Sequence, residues 1–113
     1  MANQEHVDRL RQGVEAWNQW RRQSEVRPDL CDANLNRANL CVGVISKSTP
    51  SGANLRRATL TQADLHLADL SEADLSSARL YQANLSEADL SGASFQGADL
   101  SGIPWLIVMD LTL

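Results

Sequence analysis

The sequence predicts an all-β solenoid, a chain wound into a square coil of about four turns, and two observations carry that prediction. From Leu30 to Leu100, every fifth residue is Leu or Phe at thirteen of fifteen positions, and Ala sits two places earlier in twelve of them. The run reads Ala53-Asn54-Leu55, Ala58-Thr59-Leu60, Ala63-Asp64-Leu65, Ala68-Asp69-Leu70 and continues in register to Ala98-Asp99-Leu100. A period of five matches neither the roughly 3.6 of a helix nor the 2 of a strand, so the backbone must turn at each repeat to keep every Leu inside. Four sides then close a turn of about twenty residues, and successive turns stack at roughly 4.8 Å. Each buried Leu contributes on the order of 1.5–3 kcal/mol before chain entropy is subtracted, so about four coils suffice once both ends are covered.

Ala-(Asp/Asn)-Leu-X-X in tandem, over about residues 28–105, resembles the pentapeptide-repeat family. The resemblance implies a right-handed quadrilateral β-helix of parallel sides. It places the central Leu or Phe and the small residue two before it inside the coil, with the other three positions in solvent. The residues obey that division, because Leu and Ala monopolise two positions while Asp, Asn, Ser, Glu, Gln and Arg fill nearly all the rest. Ala is a steric demand at its position, since a narrow tube filled by a Leu from each side has room for little beyond a methyl group.

Residues 1–27 read as an N-terminal capping helix and linker. Over residues 4–22, Val7, Leu10, Val14 and Trp17 recur at three- and four-residue steps, with Ala16 and Trp20 widening the stripe. Asn3 is the candidate N-cap, and Arg9, Arg11, Glu15, Arg21 and Arg22 form the opposite, solvated face. The stripe Val7, Leu10, Val14, Trp17 and Trp20 is expected to cover the first coil, because a solenoid end exposes apolar core and unpaired edges. A partner-binding or membrane-surface face built on Trp17, Trp20 and the arginines is the alternative. Pro28 bars any helix from continuing into the first coil.

Residues 28–105 form the repeat region, irregular at 41–52. Gly43 and Ile45 still suit the inward sites, but Ser48 and Pro50 suit them less, so residues 46–52 form either a degenerate side or a small bulged loop. Pro104 suits the end of the stack because it cannot donate a ladder hydrogen bond. Residues 106–113 form an apolar C-terminal cap or dimerisation segment. Trp105, Leu106, Ile107, Val108 and Met109 either close the last coil or join a second copy into a homodimer, the third alternative being a piece whose continuation lies beyond Leu113.

The formal net charge of −4 over 113 residues argues against direct nucleic-acid binding. The polar start lacks a secretory signal and the apolar run at 103–113 is too short to span a bilayer, so a cytoplasmic protein with no membrane association is expected. Cys31 and Cys41, ten residues apart, fall on opposite outer sides of a twenty-residue coil and are expected as free thiols.

Folding the sequence by twenties assigns each outward residue to a side. The first gathers Asp29, Asp32, Asp69, Glu72 and Asp89, a candidate interaction face, and the second carries Arg37, Arg56 and Arg57 with Asp74. The third has Arg79, Tyr81 and Asp99, and the fourth Lys47, Asp64, His66 and Glu87. No Ser–His–Asp or Cys–His arrangement is expected, with His66 on an outer side and His6 in solvent. A tube packed with Leu and Ala offers no cleft. No catalytic, cofactor or metal site is therefore assigned, and the chain is read as a non-enzymatic scaffold or protein-interaction module of unknown partner. The alternative comes from the resemblance to quinolone-resistance pentapeptide-repeat proteins. It is a DNA mimic binding DNA gyrase or topoisomerase, its acidic side standing in for phosphates spaced about 1.7 Å along the duplex axis.

Overall fold

Leu at every fifth position becomes the inside of a tube because the chain turns immediately after it. In the structure, a computed structural model that describes residues 1–104, the carbonyl of Leu30 accepts the N–H of Ala33 at 3.0 Å, and Leu55 and Leu75 close onto Ala58 and Ala78 in the same way. The third residue of each turn lies in the left-handed region, with φ of 59° at Asp32, 62° at Arg37 and 60° at Arg57. A type II turn demands that conformation. Two of every five residues make the turn, and of the other three only the middle one forms a bridge. Among the described residues the ladder consists of isolated parallel bridges, each joining residue i to i+20, as in Asn34 to Asn54 and Asn54 to Asp74. Three backbone bonds per side carry the stack: Leu35 N–H to Asn54 C=O at 2.8 Å, Arg37 N–H to Arg56 C=O at 2.8 Å, and Asn54 N–H to Ala33 C=O at 2.9 Å.

The tube is filled by the two inward columns. Leu55, Leu60, Leu65, Leu70, Leu75, Leu80 and Leu85 are buried, and so is every Ala from Ala53 to Ala88 at the inward small position. Ala93, Phe95, Ala98 and Leu100, on the last coil, are only partly buried. Trp105, Leu106, Ile107, Val108 and Met109, assigned above to a cap or a dimer contact, lie outside the described residues.

Residues 46–52 make a regular side and no bulged loop. Ser48 is buried at the small inward position, where its Oγ donates to the Ile45 carbonyl at 2.6 Å, and Pro50 occupies the Leu position. Pro50 cannot supply the N–H that Leu30 and Leu70 give to the coil above them, so this side lacks one rung. Gly52, at φ 67°, then makes the turn without a side-chain clash.

Val42 adopts φ 54° with 52% of its surface exposed. The left-handed region is a genuine outlier for a β-branched residue, at about 1–2 kcal/mol, and exposure gives little burial in return. Val42→Gly is expected to stabilise the protein by about 1 kcal/mol, raising the melting temperature by about 4–8 °C. An unchanged or lower melting temperature in differential scanning calorimetry would contradict the strain.

The N-terminal region is two helices, α1 (Gln4–Arg11) and α2 (Val14–Gln23), rather than one. Asn3 caps α1 as expected, its Oδ1 accepting from the N–H of Glu5 at 3.0 Å and of His6 at 3.4 Å. The break falls at Gly13, φ 121°, a conformation open to glycine and foreign to a helix. The break disrupts the expected single stripe: Val7, Leu10 and Trp17 are buried, Val14 and Trp20 are half-buried, and Ala16 is exposed.

Candidate functional site

The first coil has no coil beneath it, so the backbone groups that would pair downward need other partners. The helices supply them. Asp29 donates its N–H to His6 Nδ1 at 3.0 Å, and its carbonyl accepts the Asn3 N–H at 3.1 Å. Val44 donates its N–H to Asn18 Oδ1 at 2.8 Å, and its carbonyl accepts from Trp17 Nε1 at 2.8 Å and Arg21 Nη1 at 2.7 Å. Arg21 Nη2 reaches Ser46 C=O at 2.8 Å, Arg11 Nη2 reaches Asn34 C=O at 2.6 Å, and Arg27 Nε reaches Lys47 C=O at 2.7 Å.

Three expectations are thereby corrected. His6 is buried, with 8% of its surface exposed, because Nδ1 is needed as an acceptor at the first rung and its ring tilts against Trp20 at 5.3 Å. Arg11 and Arg21 do not belong to a freely solvated face, since both guanidinium groups bond carbonyls of the coil edge. Burial pushes the Arg21 guanidinium below its ordinary value, with Asp64 acting in the opposite direction. Arg9 lies over the Trp20 ring at 4.9 Å. The periodicity of an isolated helix could not show that its polar face meets an unpaired sheet edge.

The acidic side is assembled, with interruptions. Asp69 and Asp89 are bridged directly, whereas Thr49 stands between Asp29 and Asp69. Asp32 and Glu72 occupy the left-handed turn column, alternating with Gly52 and Gly92, over whose backbone their side chains lean. One carboxylate oxygen of each column aspartate is occupied by its own turn. Asp69 Oδ1 accepts from Ser71 N–H at 3.0 Å and Oγ at 2.6 Å, Asp89 Oδ1 from Ser91 at 3.0 and 2.5 Å, and Asp29 Oδ1 from Cys31 N–H at 3.1 Å. Such Asx turns are a structural use of Asp that any repeat can make. The neighbouring second side is basic, and Arg56 pairs with Asp74 at 3.1 Å on the surface, a contact worth about 0–1 kcal/mol.

Donation from the serine hydroxyl and then from the serine N–H holds the carboxyls of Asp74, Asp89 and Asp99 below the ordinary aspartate value, with Ser76, Ser91 and Ser101 as the donors. A lowered folded pKa means that the unfolded chain takes up protons first as pH falls. The stability these groups contribute is therefore present above about pH 4, the ordinary aspartate range, and is lost as pH falls from there through their folded values. Urea midpoints measured from pH 6 to pH 2 should show that decline. A variant carrying Ser76→Ala, Ser91→Ala and Ser101→Ala should show a shallower one, and an equal slope would remove the serines from the explanation.

The structure brings one Ser–His pair together. His66 Nδ1 lies 2.8 Å from Ser86 Oγ and 3.1 Å from the Ser86 carbonyl, because residues twenty apart stack on one side. Ser86 Oγ donates to Asn84 Oδ1 at 2.6 Å. The remaining roles make His66 Nδ1 the donor to Ser86, the reverse of a base taking a serine proton. Cys31 and Cys41 are free and half-buried, and among the described residues no cluster of three His, Cys, Asp or Glu is placed to hold a metal ion.

The model of the pentapeptide repeats matches residues 51–86 and 68–103, with eight copies. The chain belongs to the pentapeptide-repeat family. Its fold is accordingly the right-handed quadrilateral β-helix. Among solved structures, a pentapeptide repeat protein (Rfr23) from the cyanobacterium Cyanothece 51142 is 27% identical, with a TM-score of 0.63, over 65% of this chain and 50% of that one. HetL, a pentapeptide repeat protein involved in heterocyst differentiation regulation from Nostoc sp. strain PCC 7120, is 31% identical over 68% of this chain and 43% of its own, with a TM-score of 0.37. A pentapeptide repeat protein of the Arabidopsis thaliana thylakoid lumen is 30% identical over 75% of this chain and 68% of that one, with a TM-score of 0.27. The chain thus spans about half the length of the first two. No curated protein shows a significant match. Among the described residues no helix is long and apolar enough to cross a membrane.

Proposed function

We propose that this pentapeptide-repeat chain is a non-enzymatic scaffold or protein-interaction module that meets its partner with the outside of the coil. The observation that carries this reading is the filled interior: Leu and Ala, joined by Ile45, Ser48 and Pro50, close the tube from Leu30 to Leu90, so chemistry on a bound small molecule has no enclosed place to occur. On this reading, α1 and α2 serve as the N-terminal cap, lending side chains to an edge that would otherwise recruit strands.

The competing reading is a DNA-mimicking binder of gyrase or topoisomerase acting through Asp29, Asp32, Asp69, Glu72 and Asp89. Thr49 and Gly52 interrupt its acidic columns, and Arg37, Arg56 and Arg57 adjoin them, which works against a uniform negative field. A gyrase supercoiling assay separates the two. Unchanged supercoiling with the purified chain at low and moderate salt is the expected result. Salt-sensitive inhibition that disappears on Asp69→Asn, Glu72→Gln and Asp89→Asn together would replace the scaffold reading by the mimic.

A further inference from the structure

The helices do not finish the first coil, and what they leave open has the form of a missing rung. Of the four residues that face downward as bridge positions, Asp29 and Val44 have both N–H and C=O paired to the helices, and Asn34 has its C=O paired to Arg11. Asn39 has neither group paired among the described residues, and the Asn34 N–H and the carbonyls of Asn36 and Cys41 are likewise without partners there. The gap lies where the chain passes from α1 to α2 through Gly13, which has no side chain to offer Asn39, while Asn18 of α2 donates to the Val42 carbonyl at 3.1 Å beyond it.

Space accompanies the unpaired groups. A cleft of about 420 Å³ opens between Leu10, Arg11 and Gly13 and the edge formed by Leu35, Ala38 and Asn39. A second of about 470 Å³ continues past Gly13 to Val14, Glu15, Cys41 and Val42. Ala38 is only partly buried, unlike Ala58 and Ala78 above it in the same column. Val42 is exposed and held at positive φ beside the second cleft.

The geometry points to this edge as a docking site for one extended segment of a partner protein, added as a parallel rung beneath Asn39. The inference rests on the reading of the chain as an interaction module. The rung above gives the pairing: Thr59 N–H donates to Ala38 C=O, Leu40 N–H to Thr59 C=O, and Val42 N–H to Thr61 C=O. One coil lower, the Asn39 N–H donates to the incoming chain, whose own N–H groups reach the carbonyls of Asn39 and Cys41. Main-chain bonds supply affinity and alternate side chains supply selectivity, as in other strand additions.

Charge fixes the chemistry and the direction of the occupant. Arg11 lines the Asn36 end, its guanidinium on the Asn34 carbonyl, and Glu15 lines the Val42 end. A parallel segment enters at the Arg11 end, so its N-terminal part is acidic. An apolar residue follows beneath Leu40, then a neutral or basic one near Glu15. A segment of the form acidic-acidic-Ala-Asn-Leu-Thr-Lys meets each of these conditions.

The test titrates the full chain with the peptide acetyl-Asp-Glu-Ala-Asn-Leu-Thr-Lys-amide, read by amide chemical shifts and by calorimetry. Shifts centred on Asn34, Arg37, Asn39 and Val42 are expected. Methylating the peptide nitrogen of Leu, which removes the N–H meant for Asn39 C=O, should weaken binding by about tenfold. Glu15→Lys, at an exposed position lining the second cleft, should weaken it by about fivefold, and changing the peptide's Lys to Glu should restore it. Absence of binding, equal binding of the methylated peptide, or shifts centred on another side would each overturn the inference. Any of these leaves the module reading standing, whereas gyrase inhibition overturns that reading without bearing on this edge.

Discussion

Leu75→Ala is expected to destabilise the protein by about 3–5 kcal/mol, near the top of the range for a buried leucine. Leu75 is completely buried in the second side of the tube, between Leu55 below and Phe95 above. The cost of such a truncation depends on how far the surroundings collapse into the space left behind. Collapse is restricted here because the walls are fixed by the ladder. Leu55 N–H is bonded to Asp74 C=O at 2.8 Å, Leu75 N–H to Ser94 C=O at 2.7 Å, and Ala78 N–H to Leu75 C=O at 3.0 Å. The inward neighbours Ala73 and Ala78 have no rotamers with which to fill a hole. Urea denaturation should show the midpoint falling with little change in slope. The same truncation at Leu100, half-buried on the last coil, should cost about 1–2 kcal/mol. A loss at Leu75 no larger than at Leu100 would mean that the tube is looser than its hydrogen bonding indicates.

The coil was legible in the sequence because each repeat obeys one local rule, and twelve repetitions of that rule leave no alternative period. Ser48 and Pro50 were harder to place. Register alone puts them inside, but their chemistry argues otherwise until Ser48 is seen to bond the Ile45 carbonyl. The N-terminal region was only half legible. Apolar spacing found Val7, Leu10 and Trp17, while Gly13 in mid-helix was a break signal that the stripe obscured. His6, Arg11, Asn18 and Arg21 could not be assigned from sequence, because their partners are backbone atoms of residues about 23 to 26 positions later, and backbone carries no sequence signature. The pairing of His66 with Ser86 was legible in principle, since a period of twenty stacks them, but only if side-chain reach across coils is considered together with side assignment.

Trp17→Ala should separate the helices from the coil, at a cost of about 3–5 kcal/mol. Trp17 is the one large helix residue with no exposed surface. It packs against Trp20 at 5.1 Å, and its Nε1 donates to Val44 C=O at 2.8 Å. Removing it therefore takes away both the apolar contact and one of the bonds that stand in for a missing coil. Arg21 Nη1 shares the same carbonyl, so Val44 C=O retains a partner only while α2 stays in place. Trp17→Phe keeps most of the ring and loses the donor, and should cost about 1–2 kcal/mol. Hydrogen exchange then distinguishes a cap from mere packing. If the helices close the edge, the Ala variant should expose the amides of Asp29 and Val44, which donate to His6 and Asn18, while Leu65 and Leu70, paired within the stack, stay protected. Equal losses across the whole coil would make the helices part of a single cooperative unit. Unchanged protection at Asp29 and Val44 would show that the first coil holds its edge without them.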